Sequence, residues 1–203
     1  MPDRIPARAE LAQQLRALML DLHTTDLDAD QLRAVARQVD AARAAVDGPA
    51  RLDWHEDRPG DEVQLQERRS VDFRTYSLFR GSAQPLAVPL VAEERTDEDG
   101  RQVFAGSVRL NRMYEGPPGA VHGGYVAGLF DDLLGGAQGL IGFTGLTGKL
   151  EVRYRAQTPI DVDLDLVAWV DEQRGRRLTC KAEIRAADTV TAEATALFVQ
   201  YEL

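Results

Sequence analysis

Apolar positions divide the chain into a helical part and a stranded part. Leu11, Leu15, Leu18 and Leu22 recur at steps of four, three and four and share one helical face. Pro6 suits a first helical turn. Asp28, with Gln31 three residues on, has the form of a capping box for a second helix. Leu32, Val35, Val39, Ala42 and Val46 continue an apolar stripe that Gly48-Pro49 ends. Residues 1–48 are therefore expected to form a helical hairpin, packed on the main domain or on a partner subunit. Residues 49–70 read as a linker: Pro49, Pro59 and Gly60 stand among many charges, with Trp54 as an anchor and His55 as a solvated loop residue.

From about residue 71 the period shortens to that of strands. Leu86–Glu94 and Arg101–Asn111 flank Asp97-Glu98-Asp99-Gly100, a hairpin turn. A turn-rich break over 112–121 leads into a helix at His122. Runs over 147–156, 162–173, 176–186 and 190–201 follow, with turns at Arg174-Gly175 and Ala187-Asp188. The expected order is two strands, one long helix, then four strands of an antiparallel meander. Gly128, Gly135, Gly136 and Gly139 interrupt the helix, and each interior glycine costs about 1 kcal/mol against alanine. Such a helix implies a sheet curled tightly against its backbone.

Composition narrows the class. A hydrophobic fraction of 44% in 203 residues is enough for one ordinary domain with an appendage. Apolar runs are short, so no membrane span is expected, and the N-terminus lacks the apolar stretch of a secretory signal. Cys180 stands alone, and His23, His55 and His122 have no ligand spacing, so no disulfide, metal site or metal cofactor is expected. A cytoplasmic setting is the expectation. The net charge of −9 argues against general nucleic-acid binding but not against an anionic small ligand.

The chemistry concentrates at His122-Gly123-Gly124. Backbone amides at a helix N-terminus, here those of Gly123 and Gly124, suit an oxygen that is gaining negative charge. Asp131 follows on the same helix as a base or nucleophile, a pairing made for attack on a carbonyl. Asp132, turned by about 100° from it, reads as structural. Neither a Gly-x-Ser-x-Gly elbow nor a dinucleotide fingerprint is present.

With the acid at that distance from His-Gly-Gly, and the strand Thr147-Gly148-Lys149-Leu150-Glu151-Val152-Arg153-Tyr154 after the helix, residues 71–203 resemble the hotdog-fold acyl-CoA thioesterases, the phenylacetic-acid-pathway type being the nearest group. The resemblance implies an α+β hotdog fold: a curved antiparallel sheet wrapped around a long central helix, here with an N-terminal helical extension. It implies that the Gly123 amide polarises a thioester carbonyl and that Asp131 activates water or attacks through an anhydride. It further implies that Thr147 positions the water and that His122 shapes the pocket. The substrate would be an acyl-coenzyme A, with no other cofactor. Several members of the family carry an amide side chain six residues before the motif histidine, where this chain has Gly116.

Alternatives stand beside these roles. Thr147 reads equally as a strand former. By alternation Lys149, Glu151, Arg153 and Arg155 share one face, with Arg153 and Arg155 as anchors for coenzyme A phosphates or as part of a solvated surface. A non-catalytic acyl-CoA-binding protein and an enoyl-CoA hydratase are the competing functions.

Distance adds one inference of its own. Eight helical residues separate Gly123 from Asp131 by about 12 Å, whereas polarisation and attack meet within about 3–3.5 Å of one carbon. Two antiparallel helices related by a dyad resolve this. A homodimer or dimer of dimers, with the site at the subunit interface, is the expected active unit.

Overall fold

The computed structural model describes residues 4–49, 75–88 and 90–200. The linker expected over 49–70 falls, apart from Pro49, outside the described residues, and Trp54 and His55 fall with it. The chain divides into two compact units, Met1–Ser77 with Gly81–Pro85, and Leu78–Arg80 with Leu86–Leu203.

The first unit contains α1 (Arg4–Thr24) and α2 (Ala29–Ala44). The Asp28–Gln31 capping box is formed: Asp28 Oδ1 accepts from the Asp30 and Gln31 amides, and Gln31 Oε1 accepts from the Asp28 amide. Helix α2 stops at Ala44, ahead of the expected Gly48-Pro49 break. Leu11, Leu15 and Leu18 of α1 line one groove of about 470 Å³ with Val35, Val39 and Ala42 of α2.

The second unit is a six-stranded sheet holding one helix. Strands β1 (Val91–Thr96), β2 (Gln102–Arg109), β3 (Gly145–Tyr154), β4 (Asp163–Arg174), β5 (Arg177–Ala186) and β6 (Thr189–Gln200) lie in the order β1-β2-β4-β5-β6-β3. Every neighbouring pair is antiparallel. The expected element order is thus the observed one, but the last four strands are not one meander: β4, β5 and β6 are, whereas β3 crosses to the far edge and pairs with β6 rather than β4. The first strand is also shifted. Leu86–Leu90 was expected to be stranded, but pairing begins at Val91, and Val88 and Leu90 are buried from irregular backbone instead. An apolar run cannot by itself distinguish a strand from a buried loop.

Helix α3 (Gly123–Ala137) buries Val126, Leu129, Phe130, Leu133, Leu134 and Ala137 against the inner face of the sheet, where Leu164, Leu166, Cys180, Ile184 and Phe198 complete the core. Burial pushes the Cys180 thiol up to about 12, with Asp171 adding to the shift. Two of the helix glycines have specific reasons. A Cβ on Gly136 would stand 2.3 Å from the ring of Phe104 on β2, and one on Gly128 would stand 2.1 Å from Phe79 Cζ. The sheet alone therefore does not account for the glycines, since Phe79 precedes it, and Gly135 has nothing within 4 Å. Gly128→Ala is expected to cost about 1–3 kcal/mol by overpacking, whereas Gly135→Ala loses nothing; paired thermal melts check this.

Candidate active site at the start of the central helix

The loop before α3 is pinned from several sides. Gly116 N–H donates to Ala120 O, Val121 N–H to Thr158 O, and His122 N–H to Tyr114 O at 2.8 Å. This tightness explains Gly116. A Cβ there would lie 2.8 Å from His122 Cα and 3.2 Å from its ring carbon Cδ2, so no amide side chain can stand at this position in this backbone.

His122 is the N-cap of α3. Its φ of −59° and ψ of 131° are extended, and its Nδ1 accepts from the Gly124 N–H at 3.0 Å. The sequence reading of two bare amides is corrected here: the Gly124 N–H is occupied by the histidine ring, a cap uncommon enough not to be anticipated. Among the described residues nothing accepts from the Gly123 N–H. On the same peptide unit, the His122 carbonyl accepts from the Tyr125 and Val126 amides at 2.9 and 3.2 Å. Bonds received by that carbonyl polarise the peptide further and strengthen the Gly123 donor.

Gly123 opens onto a cleft of about 330 Å³ lined mainly by apolar groups, among them Pro117, Val121, Val126, Tyr154 and Ala156. Tyr154, which alternation places on the face of β3 opposite Arg153, is a participant to which the sequence assigns no role. Its hydroxyl donates to the Gly123 carbonyl at 2.8 Å and ties β3 to the first turn of α3.

Asp131 is exposed, and Thr147 Oγ1 donates to its Oδ1 at 3.0 Å. Simple alternation would put Thr147 on the outer face with Lys149. A β-bulge between Thr147 and Lys149 inserts one extra residue, Gly148, and reverses the phase. Thr147 therefore joins Leu150, Val152 and Tyr154 on the helix-facing side. One carboxylate oxygen is held, and Oδ2 has no partner among the described residues.

The next carboxylate does different work. Asp132 is ion-paired with Arg80, their side chains only 11% and 21% exposed, and Arg80 also lies over the Phe104 ring at 5.1 Å. Removing one charge leaves the other largely buried, so Asp132→Asn is expected to cost about 3 kcal/mol of stability, read in a denaturant titration.

The cationic residues of β3 are mostly engaged. Arg155 lines the cleft, and its Nε and Nη2 donate to Glu193 Oε2 at 3.0 and 2.7 Å. That hydrogen bond, with the nearby charges of Arg155 and Arg153, holds the Glu193 carboxyl below its ordinary range. Arg153 is exposed, opposite Glu193 across the β3–β6 ladder, and Lys149 Nζ bonds Glu151 at 2.8 Å. Among the described residues no cluster of His, Cys, Asp or Glu could hold a metal ion, and no helix is long and apolar enough to cross a membrane.

Comparison with known proteins agrees with this architecture. Residues 118–193 match the family model described as Thioesterase superfamily. The acyl-coenzyme A thioesterase THEM4 of Bos taurus is 26% identical over 170 residues, which is 72% of this chain and 69% of that protein. THEM4 of Xenopus laevis is 36% identical over 89 residues, and that match spans 40% of its length. A crystal structure described as a thioesterase superfamily protein superposes with a TM-score of 0.77 at 29% identity, covering 95% of this chain and 94% of that one. The sheet and central helix form a hotdog fold.

Proposed function

We propose that the protein hydrolyses acyl-coenzyme A thioesters to a carboxylic acid and free coenzyme A. The observation that carries this reading is the pairing of an unclaimed Gly123 N–H, at the mouth of an apolar cleft, with an Asp131 carboxylate held by Thr147. The thioester oxygen accepts from Gly123 N–H. Asp131 takes a proton from water as the water oxygen bonds to the carbonyl carbon. The tetrahedral intermediate then breaks its C–S bond, and the departing sulfur leaves as the thiol with that proton. Donors aimed at a developing oxyanion are worth about 2.7–4 kcal/mol each. The acyl-coenzyme A thioesterase activity for which the THEM4 relatives are named and the family match over residues 118–193 support the same reaction class.

The two groups act in trans. They lie about 12 Å apart on one helix, and β3 offers the means of bringing two copies together. It is an edge strand with one side of its ladder open. Thr147, which marks the Asp131 end of α3, and Tyr154, which marks the Gly123 end, stand nearly symmetrically about Leu150. An antiparallel β3–β3 pair centred there brings the Asp131 end of one protomer to the Gly123 end of its partner. The same register sets Lys149 against the partner's Glu151, a favourable cross-strand pair. We infer a homodimer with two sites at its interface, working in the cytoplasm.

The test is thiol release from a panel of short, medium, long and aromatic acyl-coenzyme A thioesters. An aromatic member belongs there because of the likeness to the phenylacetic-acid-pathway type. Cys180, buried and with its thiol pushed up to about 12, adds little background to a thiol reagent. Release from at least one thioester supports the hydrolase. Binding without release from any of them makes the protein an acyl-coenzyme A carrier or sensor instead.

A further inference from the structure

Tyr154, the Gly123–Gly124 peptide and His122 form one continuous hydrogen-bond chain. The Tyr154 hydroxyl donates to the Gly123 carbonyl at 2.8 Å. That carbonyl shares its peptide with the Gly124 N–H, which donates to His122 Nδ1 at 3.0 Å. A ring nitrogen that accepts carries no proton, so the neutral ring holds its hydrogen on Nε2. Bonds in such a chain polarise one another, and the middle peptide is fixed at both ends. That peptide adjoins the one carrying the Gly123 N–H, so whatever rotates it turns the oxyanion donor as well.

We propose that Tyr154 is a positioning residue, whose hydroxyl acts through the Gly123–Gly124 peptide to hold the Gly123 donor in place and to set the His122 tautomer. This rests on the thioesterase reading of the site and adds a residue to it. Tyr154 reaches the reaction only through the helix start. The strand–helix contact it makes is also the one that delimits the cleft beside Gly123. Sequence proximity gives no hint of it, because the contact joins the far end of β3 to the first residue of α3.

The test compares Tyr154→Phe with wild type and with Val152→Ala, a packing change on the same face of β3. In Tyr154→Phe, kcat is expected to fall about tenfold, the scale of one lost hydrogen bond, with KM within twofold. Nitrogen NMR, recorded above the ordinary titration range of histidine, supplies a readout independent of turnover. Wild type and Val152→Ala show His122 Nδ1 as the unprotonated nitrogen, and Tyr154→Phe shows a mixture of tautomers with faster exchange of the Gly124 amide hydrogen. A kcat within twofold of wild type, or an unchanged His122 nitrogen pattern in Tyr154→Phe, overturns the proposal. If wild type cleaves no thioester, the function reading fails by itself, and the nitrogen pattern still decides whether the chain of bonds exists.

Discussion

Asp131→Asn is expected to lower kcat by about 10²–10⁴, the range typical of removing a positioned general base, while the melting temperature stays unchanged. The two halves of this prediction have separate grounds. Asparagine keeps an oxygen where Oδ1 accepts from Thr147, so the 3.0 Å contact and the bulge that supports it survive. Asp131 is exposed, and exposed substitutions away from packing features move stability by about 0.5 kcal/mol or less. What is lost is the capacity of the second oxygen to take a proton from water. Thiol release checks the first half, and a thermal melt of the same preparation checks the second. Undiminished release by Asp131→Asn would remove the base from the proposed reaction. The contrast with Asp132→Asn is diagnostic, since there stability falls through loss of the largely buried ion pair with Arg80.

Much of this site was readable because its signals are local. A cap, a helix start and a following carboxylate are neighbours in sequence, and so is the Asp28–Gln31 box that forms as expected. The β1–β2 and β4–β5 hairpins were readable because their turns carry residues that accept positive φ, Gly100 at 81° and Gly175 at 56°. What escaped depends on distant pairing. The side on which Thr147 points follows from a bulge, and a bulge exists only relative to the partner strand β6. Phe79 and Phe104 pressing on Gly128 and Gly136 are likewise contacts between remote segments. The capture of the Gly124 amide by His122 is local, yet it turns on a rotamer that residue identity does not specify. The position of β3 beside β6 at the sheet edge, on which the dimer proposal depends, is also a property of topology rather than of pattern.

Gly123→Pro is expected to delete the proposed oxyanion donor without disturbing the helix it opens. A backbone amide cannot usually be removed by mutation, but here the local geometry permits it. Gly123 is the first residue of α3, where proline is favoured and no intrahelical bond is forfeited. His122, at φ −59° and ψ 131°, already has the conformation a following proline demands. A Cβ at residue 123 would come to 3.3 Å from the Tyr154 hydroxyl, which requires only a small shift of a side-chain tip. The expected loss is about 2.7–4 kcal/mol of transition-state stabilisation, roughly 10²–10³ in kcat. In the proposed dimer each site takes Gly123 from one protomer and Asp131 from the other, so two inactive chains are expected to repair each other. A dimer of one Gly123→Pro chain and one Asp131→Asn chain has one site with both lesions and one with neither. Co-expression with two affinity tags isolates that heterodimer, whose expected activity is about half that of wild type per dimer. Heterodimers as inactive as their parents would mean that Gly123 and Asp131 serve the same site from one chain, and the arrangement in trans would be wrong.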